Sequence, residues 1–342
     1  MNNSWLSFLT TAGATLEAGI VRDFGDPRRE LAATDGGDLA APLAQFGLLA
    51  IAGDDARSFL HSQLSCDVQG LTEARATYGC YCSPRGRVLA NFLLWQEPDG
   101  FRMLLPRSVV PGVRERLQRF VLRAAVTLAE RNDDELVLGL AGPSAFEAAT
   151  GMAGPVPHGL LHLARLDGIT AIAVPGQRLL WVAPLRWGPA LWEHLARALR
   201  PVGAGCWAWL DIVAGLPWIE AAAQDEFVPQ MANLELMGAV NFQKGCYPGQ
   251  EIVARTQHLG RPKRRLRLAH VAAERPPAAG DKLVADQGDQ AVGMVVNAAL
   301  APSGGVDLLA VVQTASATGA TVHLASASGP ALEFRPLPYA VP

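Results

Sequence analysis

From residue 242 to residue 255 the sequence reads FQKGCYPGQEIVAR, a stretch that concentrates special residue types. Pro248 and Gly249 predict a tight turn, because proline fixes its own φ and glycine accepts positive φ. The composition of residues 250–258 then predicts a helix. Cys246 is therefore expected just before a helix N-terminus, in a loop that the rest of the chain is built around.

The chemistry predicted for this loop is that of a reactive thiol. A cation and the positive end of a helix dipole both stabilise a thiolate, and Lys244 and the predicted helix start bring both close to Cys246. Arg255 is predicted to help activate the thiol or to hold an anion. The alternative is a small buried side chain, which is the usual state of a free cysteine. The neighbouring lysine, tyrosine and turn favour the functional thiol.

Composition limits the classes of function. The chain has 342 residues, of which 50% are hydrophobic and 18% charged, enough for two or three domains with large cores. A net charge of -3 excludes a globally basic nucleic-acid-binding protein but not a local basic patch. We expect neither a secretory signal nor a membrane span. Five cysteines without a CxxC pair argue against a disulfide framework and against a zinc site made by cysteines alone, and they predict a cytoplasmic protein.

The predicted elements divide the chain into three parts. After a partly irregular lead-in at residues 1–41, the region 1–135 has a β-α-β-β-β-α-β order, which is typical of a ferredoxin-like α+β domain. Residues 136–265 form a second α+β region, and the first two regions can interleave in space. Residues 266–342 contain short strands separated by Gly, Pro, Asp and Ser, the pattern of a small antiparallel barrel or sandwich.

Several segments resemble one protein family. They are IAGDDARSFL at 51–60, QLSCD at 63–67, PRGR at 84–87, DIVAGLPWIE at 211–220, FVPQMANLE at 227–235, KGCYPGQE at 244–251 and PLPY at 336–339. On these motifs the chain is identified as a member of the YgfZ family, folate-binding relatives of the glycine-cleavage T-protein, an aminomethyltransferase. The resemblance implies an α+β fold of three domains in a ring, with ferredoxin-like domains and a C-terminal antiparallel β-barrel, around an opening that admits tetrahydrofolate. It also implies a role in iron–sulfur cluster assembly or repair and, through it, in tRNA modification.

Two departures from the T-protein pattern bear on activity. The acidic pair that contains the T-protein's catalytic aspartate falls at Ala90 and Asn91. Aminomethyl transfer needs a carboxylate to steer the amine and the folate nitrogen, so we expect no ordinary aminomethyltransferase activity. The T-protein's folate-binding glutamate falls at Val213. We therefore expect weak tetrahydrofolate binding, with Asp211 or Glu220 as substitutes for that acid.

The resemblance implies a pterin seat in the central opening, near residues 229–234 and closed by the Cys246 loop. A pterin needs flat walls and a few convergent polar groups. The residues predicted to form this seat are Trp218, Tyr247 and Phe227 as walls and Gln230, Asn233 and Asp211 as polar partners. Gln230 and Asn233 are equally consistent with simple turn residues.

Three functions remain open. The first is a tetrahydrofolate-binding accessory protein whose partners are iron–sulfur assembly proteins or client iron–sulfur enzymes, with Cys246 as its working group. The second is a folate-dependent one-carbon transferase or demethylase in which Asp225, Glu226 or Glu251 replaces the missing acid. The third is an interaction scaffold without folate. A basic run is either a solvated face or a contact for a folate polyglutamate tail or RNA phosphate. This run consists of Arg261, Lys263, Arg264, Arg265 and Arg267.

Overall fold

The computed structural model describes residues 3–260, 262–286 and 290–342. The strands are β1 (Thr15–Glu17), β2 (Ile20–Asp23), β3 (Leu39–Pro42), β4 (Phe46–Ala52), β5 (Thr77–Cys82), β6 (Val88–Glu97), β7 (Gly100–Pro106), β8 (Thr127–Glu130), β9 (Glu135–Ala141), β10 (Leu163–Leu166), β11 (Ile169–Val174), β12 (Arg178–Pro184), β13 (Arg200–Pro201), β14 (Arg264–Val271), β15 (Lys282–Ala285), β16 (Ala291–Leu300), β17 (Val306–Gln313), β18 (Val322–Leu324) and β19 (Leu332–Arg335). The helices are α1 (Asn3–Thr11), α2 (Pro27–Ala33), α3 (Ala56–Gln63), α4 (Val110–Val121), α5 (Pro143–Ala153), α6 (Gly188–Ala198), α7 (Ala204–Val213), α8 (Gln250–Leu259) and α9 (Thr314–Gly319).

The first sheet has the strand order β5-β6-β7-β4-β8. Helices α3 and α4 cover one face of it, where Phe59, Leu60 and Leu117 pack with Leu49 and Phe92 in one buried cluster. The apolar side chains of α4 recur at helical spacing and face this sheet. The predicted strand at residues 46–52 coincides with β4, and the β-α-β-β-β-α-β order is confirmed.

The second sheet has the order β10-β11-β12-β9-β3-β13. Strand β3 therefore lies between β9 and β13, which both come much later in the chain. The expectation of a partly irregular lead-in is wrong over most of residues 1–41, which form α1, β1, β2, α2 and β3. Trp5 and Leu9 lie one turn apart on α1 and are both buried. Trp5 contacts Trp192 of α6 edge to face, with ring centroids 6.4 Å apart. This packing stabilises α1 against the second sheet.

The C-terminal sheet has the order β18-β15-β16-β17-β14-β19, and its neighbouring strands are antiparallel. A bridge between His323 and Ala331 links its two edge strands, which closes the sheet. The predicted C-terminal antiparallel β-barrel is therefore confirmed. The strand register of β16 shifts beside Asn297, and this side chain bonds the segment that follows α7.

The three units meet around the chain from α7 to α8. One buried cluster contains side chains from all of them, including Leu48 of the first sheet, Val137 of the second and Val311 of the barrel. Trp207 and Trp218 belong to the same cluster.

Candidate functional site

The motif loop has the predicted turn followed by a helix. Pro248 and Gly249 form the turn, and α8 begins at Gln250. Gly249 has φ +81°, and a Cβ built on it would lie 2.4 Å from the Ser83 carbonyl oxygen. Only glycine allows this close approach, so the loop packs directly on the turn at residues 83–86. Cys246 lies exposed in the irregular segment just before this contact.

Lys244 fastens the loop to the end of α3. Its Nζ donates hydrogen bonds to the carbonyl oxygens of His61 and Leu64, the latter at 2.6 Å. These oxygens lie at a helix C-terminus, where backbone acceptors lack helical partners and cations are favourable. The ammonium also lies 5.1 Å from the centre of the Tyr247 ring. Burial lowers the pKa of Lys244, and charge on nearby groups, Cys246 among them, opposes that shift.

The other four cysteines are buried. Burial raises the pKa of Cys66 and of Cys82 to about 12 and that of Cys206 to about 11. Burial also raises the pKa of Cys80 well above its usual value. All four thiols are therefore protonated and shielded from solvent at neutral pH.

We expect Cys246 to react with iodoacetamide fastest of the five cysteines at pH 7. Thiolate is the reacting form, and Cys246 combines exposure with the nearby Lys244 cation. Peptide mass spectrometry after timed quenching measures the five rates. Unfolded protein is the control, in which all five should react at comparable rates. Slower labelling of Cys246 than of the buried cysteines would overturn the activated-thiol interpretation.

A cavity of about 540 Å³, here called the central cavity, lies at the junction of the three units. Its walls include Tyr78, Leu160, Arg178, Val213, Met237 and Tyr339. This volume is typical of small-molecule sites, which favour domain junctions and mostly apolar walls. The Tyr339 hydroxyl donates to the Gly215 carbonyl oxygen at 2.8 Å, which holds the C-terminal segment against the end of α7.

Arg178 is the buried charged group of this wall and is only 1% exposed, whereas Asp35, the other charged wall residue, is exposed. Its Nη1 donates to Asp211 Oδ1 at 2.7 Å and its Nε to the Pro175 carbonyl oxygen at 2.6 Å. Its guanidinium carbon lies 4.6 Å from the centre of the Trp207 ring. The second oxygen of Asp211 accepts from Trp218 Nε1 at 2.9 Å. Arg178 Nη2 is buried and has no hydrogen-bond partner among the residues that the structure describes.

The central cavity therefore offers hydrogen-bond donors. Burial, followed by the charge of Asp211, raises the pKa of Tyr78, so its hydroxyl stays protonated. Arg178 has one uncommitted guanidinium nitrogen. Val213, on the same wall, supplies no acceptor.

A second cavity of about 400 Å³ is here called the rear cavity. Among the described residues, Leu216 is the one wall residue that it shares with the central cavity. Trp218 forms one of its walls. The backbone N–H of Trp218 donates to Asn297 Oδ1 at 2.8 Å, and Asn297 Nδ2 donates back to the Trp218 carbonyl oxygen at 3.0 Å. Because the indole N–H of Trp218 also donates a hydrogen bond to Asp211, the ring is held in one orientation.

Comparison with known proteins decides the family. A curated relative named tRNA-modifying protein YgfZ, from Sodalis glossinidius (strain morsitans), is 32% identical over 303 residues, 87% of this chain and 92% of the relative. The protein of the same name from Klebsiella pneumoniae (strain 342) is 30% identical over the same shares. The chain belongs to the YgfZ family. The resemblance inferred from its motifs is thereby confirmed, although no family model matches the chain.

The fold of this YgfZ-family protein is that of the T-protein. The crystal structure of glycine cleavage system aminomethyltransferase T from Bartonella henselae matches it with a TM-score of 0.82 at 19% identity. The match covers 97% of this chain and 96% of that chain. The predicted T-protein-like fold is confirmed.

The structure separates the residues predicted to form the pterin seat of this YgfZ-family chain. Trp218 and Asp211 line the rear cavity. Four others line neither cavity: Gln230, Asn233, Phe227 and Tyr247. Gln230 Nε2 donates to the Val253 carbonyl oxygen at 2.8 Å, and Asn233 Nδ2 donates to the Leu266 carbonyl oxygen at 3.2 Å. These two amides hold α8 and β14 in place.

The charged residues singled out in the sequence also lie apart. Arg255 is exposed on α8. Within the basic run, Arg261 lies outside the described residues, whereas Arg265 is buried and donates to the Glu235 carboxylate and to the Gln230 carbonyl oxygen at 2.7 Å. Arg265 therefore forms an internal ion pair with Glu235 in this chain.

Ala90 and Asn91, the residues expected in place of the T-protein's acidic pair, have structural roles here. Ala90 is buried in the first-sheet core. Asn91 Nδ2 donates to the Pro217 carbonyl oxygen and its Oδ1 accepts from the Ile219 N–H, both at 2.8 Å. The whole Asn91 amide is used in fastening the Trp218 segment to β6.

Sequence reasoning missed Arg178 and Tyr78 as cavity residues. A signal for Arg178 exists, because an arginine opens the apolar strand β12 two residues after Gly176 of the preceding turn. No group of three or more His, Cys, Asp or Glu within the described residues could hold a metal ion. In the same part of the chain, every helix is too short or too polar to cross a membrane.

Proposed function

We propose that the central cavity binds a reduced pterin of the tetrahydrofolate class. The observation that carries this is a cavity of about 540 Å³ where three units of a T-protein-like fold meet, with the buried Arg178 Nη2 unpaired in its wall. We further propose that the protein acts in the cytoplasm as an accessory factor of iron–sulfur cluster assembly or repair. Its partners would be assembly proteins or client iron–sulfur enzymes, and Cys246 would be its working group. The relatives' name, tRNA-modifying protein, supports clients that modify tRNA.

The residues of the central cavity fit a pterin in part. Arg178 Nη2 and the Tyr78 hydroxyl can donate to the carbonyl oxygen of the ring, and Leu160 and Met237 provide apolar contact. The amino group of the ring needs an acceptor, which Val213 cannot provide. Bound tetrahydrofolate supplies a ring nitrogen that carries one-carbon units. The chain's own residues would bind and orient the ring, and binding would be weaker because Val213 stands where the T-protein's folate-binding glutamate is expected.

The geometry disfavours an aminomethyltransferase. The Asp225 carboxylate accepts from the Ser83 hydroxyl at 2.8 Å and from Arg85, so both of its oxygens are engaged. Glu251 is exposed on α8, outside the walls of the central cavity. The Asn91 amide is engaged by the backbone of Pro217 and Ile219. An accessory role therefore accounts for the site better than a one-carbon transferase.

Val213→Glu should strengthen tetrahydrofolate binding by about tenfold to a hundredfold. The new carboxylate restores one charged hydrogen bond, worth about 1.5–3 kcal/mol. Isothermal titration calorimetry of wild type and variant under anaerobic conditions measures both affinities. Val213→Gln is the matched control, since it has the same length without the charge and should gain less. Absence of heat with wild type and Val213→Glu alike would remove folate from the function.

A further inference from the structure

The rear cavity contains an orphaned amide. Gln45 lines this cavity, and its Oε1 and Nε2 are both buried without a hydrogen-bond partner among the described residues. Native proteins pair nearly all buried polar atoms, because an unpaired one costs its full desolvation energy. A donor and an acceptor left free side by side in a cavity wall point to a ligand with the complementary pair.

The walls around this amide include two fixed aromatic rings, whose planes are inclined at 64° to each other. Phe46, the next residue in the chain, contacts Trp218 at a ring-centroid distance of 4.8 Å. Trp218 is locked by its bonds to Asp211 and Asn297. Preformed aromatic surfaces of this kind bind planar heterocycles, for which stacking is insensitive to the exact ring.

Charge is placed beside the amide. Arg107 is half-buried in the same wall, and no ion-pair partner of it occurs in the part of the chain that the structure describes. Its backbone N–H donates to the Gln45 carbonyl oxygen at 2.8 Å, which keeps the two residues adjacent. Guanidinium groups bind phosphate in a bidentate geometry. Glu220 also lines the cavity, and carboxylates accept from ribose hydroxyls in nucleotide sites.

We propose that the rear cavity binds one nucleotide, either free or unpaired within an RNA chain. The Gln45 amide reads the donor–acceptor edge of the base, as glutamine does with adenine in nucleic-acid complexes. The ring lies against Phe46 and Trp218, and Arg107 holds the phosphate. A volume of about 400 Å³ suits a single nucleotide and excludes a duplex. The site is separate from the pterin site, because Gln45, Phe46 and Arg107 do not line the central cavity.

Calorimetric titration of the full chain with AMP, GMP, UMP and CMP tests the proposal. We expect at least one to bind, and Gln45→Leu to weaken that binding by about tenfold or more. Leucine removes the unpaired amide at similar volume, so the variant should fold with a melting temperature no lower than that of wild type. Arg107→Gln should weaken binding of the nucleotide but not of the matching nucleoside. Gln118→Leu and Arg123→Gln are exposed matched controls and should bind as wild type does.

An unmodified tRNA transcript separates the two sources of nucleotide. RNA is the ligand if tRNA binds more tightly than the mononucleotide and its affinity falls about tenfold in Gln45→Leu. A free nucleotide is the ligand if the mononucleotide binds more tightly than tRNA. Binding that is absent, or that ignores both Gln45→Leu and Arg107→Gln, overturns the proposal and leaves the amide to water. Tetrahydrofolate affinity, measured on the same variants, should not change. Failure here is thereby distinguished from failure of the pterin site.

Discussion

Replacing Arg178 with methionine should lower the free energy of unfolding by about 3–5 kcal/mol, because it leaves a buried carboxylate without its cation. Arg178 is 1% exposed and Asp211 4% exposed, so neither charge can turn to solvent. Their contact at 2.7 Å is the main compensation for burying both. In the variant, Asp211 keeps only the Trp218 indole N–H. Urea unfolding measures the loss directly.

The same substitution should make stability depend on pH. Burial raises the pKa of Asp211, and the positive charge of Arg178 opposes that rise. Without Arg178 the pKa of the folded protein moves further above that of the unfolded chain. A carboxyl group whose pKa is raised by folding contributes stability that is fully present below its pKa in the unfolded chain. That stability is lost as the pH rises through its pKa in the folded protein. The destabilisation should therefore be smaller near pH 5 than near pH 8.

Two controls isolate the ion pair. Adding Asp211→Asn to Arg178→Met keeps an acceptor for Trp218 and removes the stranded charge, so the double variant should recover most of the loss and its pH dependence. Arg119→Met breaks an exposed pair with Glu115 and should cost less than about 1 kcal/mol. A loss that is equal at both pH values and persists in the double variant would assign the effect to packing on Trp207 instead.

Elements with strong local patterns were predictable from the sequence. The apolar run of β4 and the turn at Pro248 and Gly249 appear where the residues place them, because each is specified by neighbours in the chain. Helix α1 and strand β3 were missed for the opposite reason. They are short, and their stability comes from remote partners, Trp192 for Trp5 and strand β9 for β3.

The candidate sites divide in the same way. The exposed Cys246 before a helix follows from a contiguous motif. Gln45 gave no such signal, because its unpaired atoms depend on a cavity built by three units. Arg178 gave only the signal of an arginine that opens an apolar strand, and its partner Asp211 lies on another element. Polarity alone also could not tell which amide atoms stay free. Gln230 Nε2 and Asn233 Nδ2 donate to backbone carbonyl oxygens, whereas the buried Gln230 Oε1 has no partner among the described residues.

Cys246→Ala should abolish function in cells while leaving the unfolding curve unchanged. The thiol is exposed, and surface substitutions away from special contacts change stability by about 0.5 kcal/mol or less. The loop is held instead by Lys244 on the end of α3 and by Gly249 on the turn at residues 83–86. Removing the sulfur should therefore eliminate the reactivity of the thiol without changing the fold.

Complementation of a strain that lacks its own YgfZ-family gene measures this loss, with iron–sulfur enzyme activity and modified tRNA nucleosides as readouts. Cys246→Ser keeps the size of the side chain without a comparably nucleophilic anion at neutral pH, so it should fail as alanine does. Gln243→Ala, an exposed neighbour in the same loop, should complement fully. Growth and enzyme activity restored by Cys246→Ala would contradict a working thiol. The motif would then act through Lys244 and Gly249, as the clamp that joins α8 to the first unit.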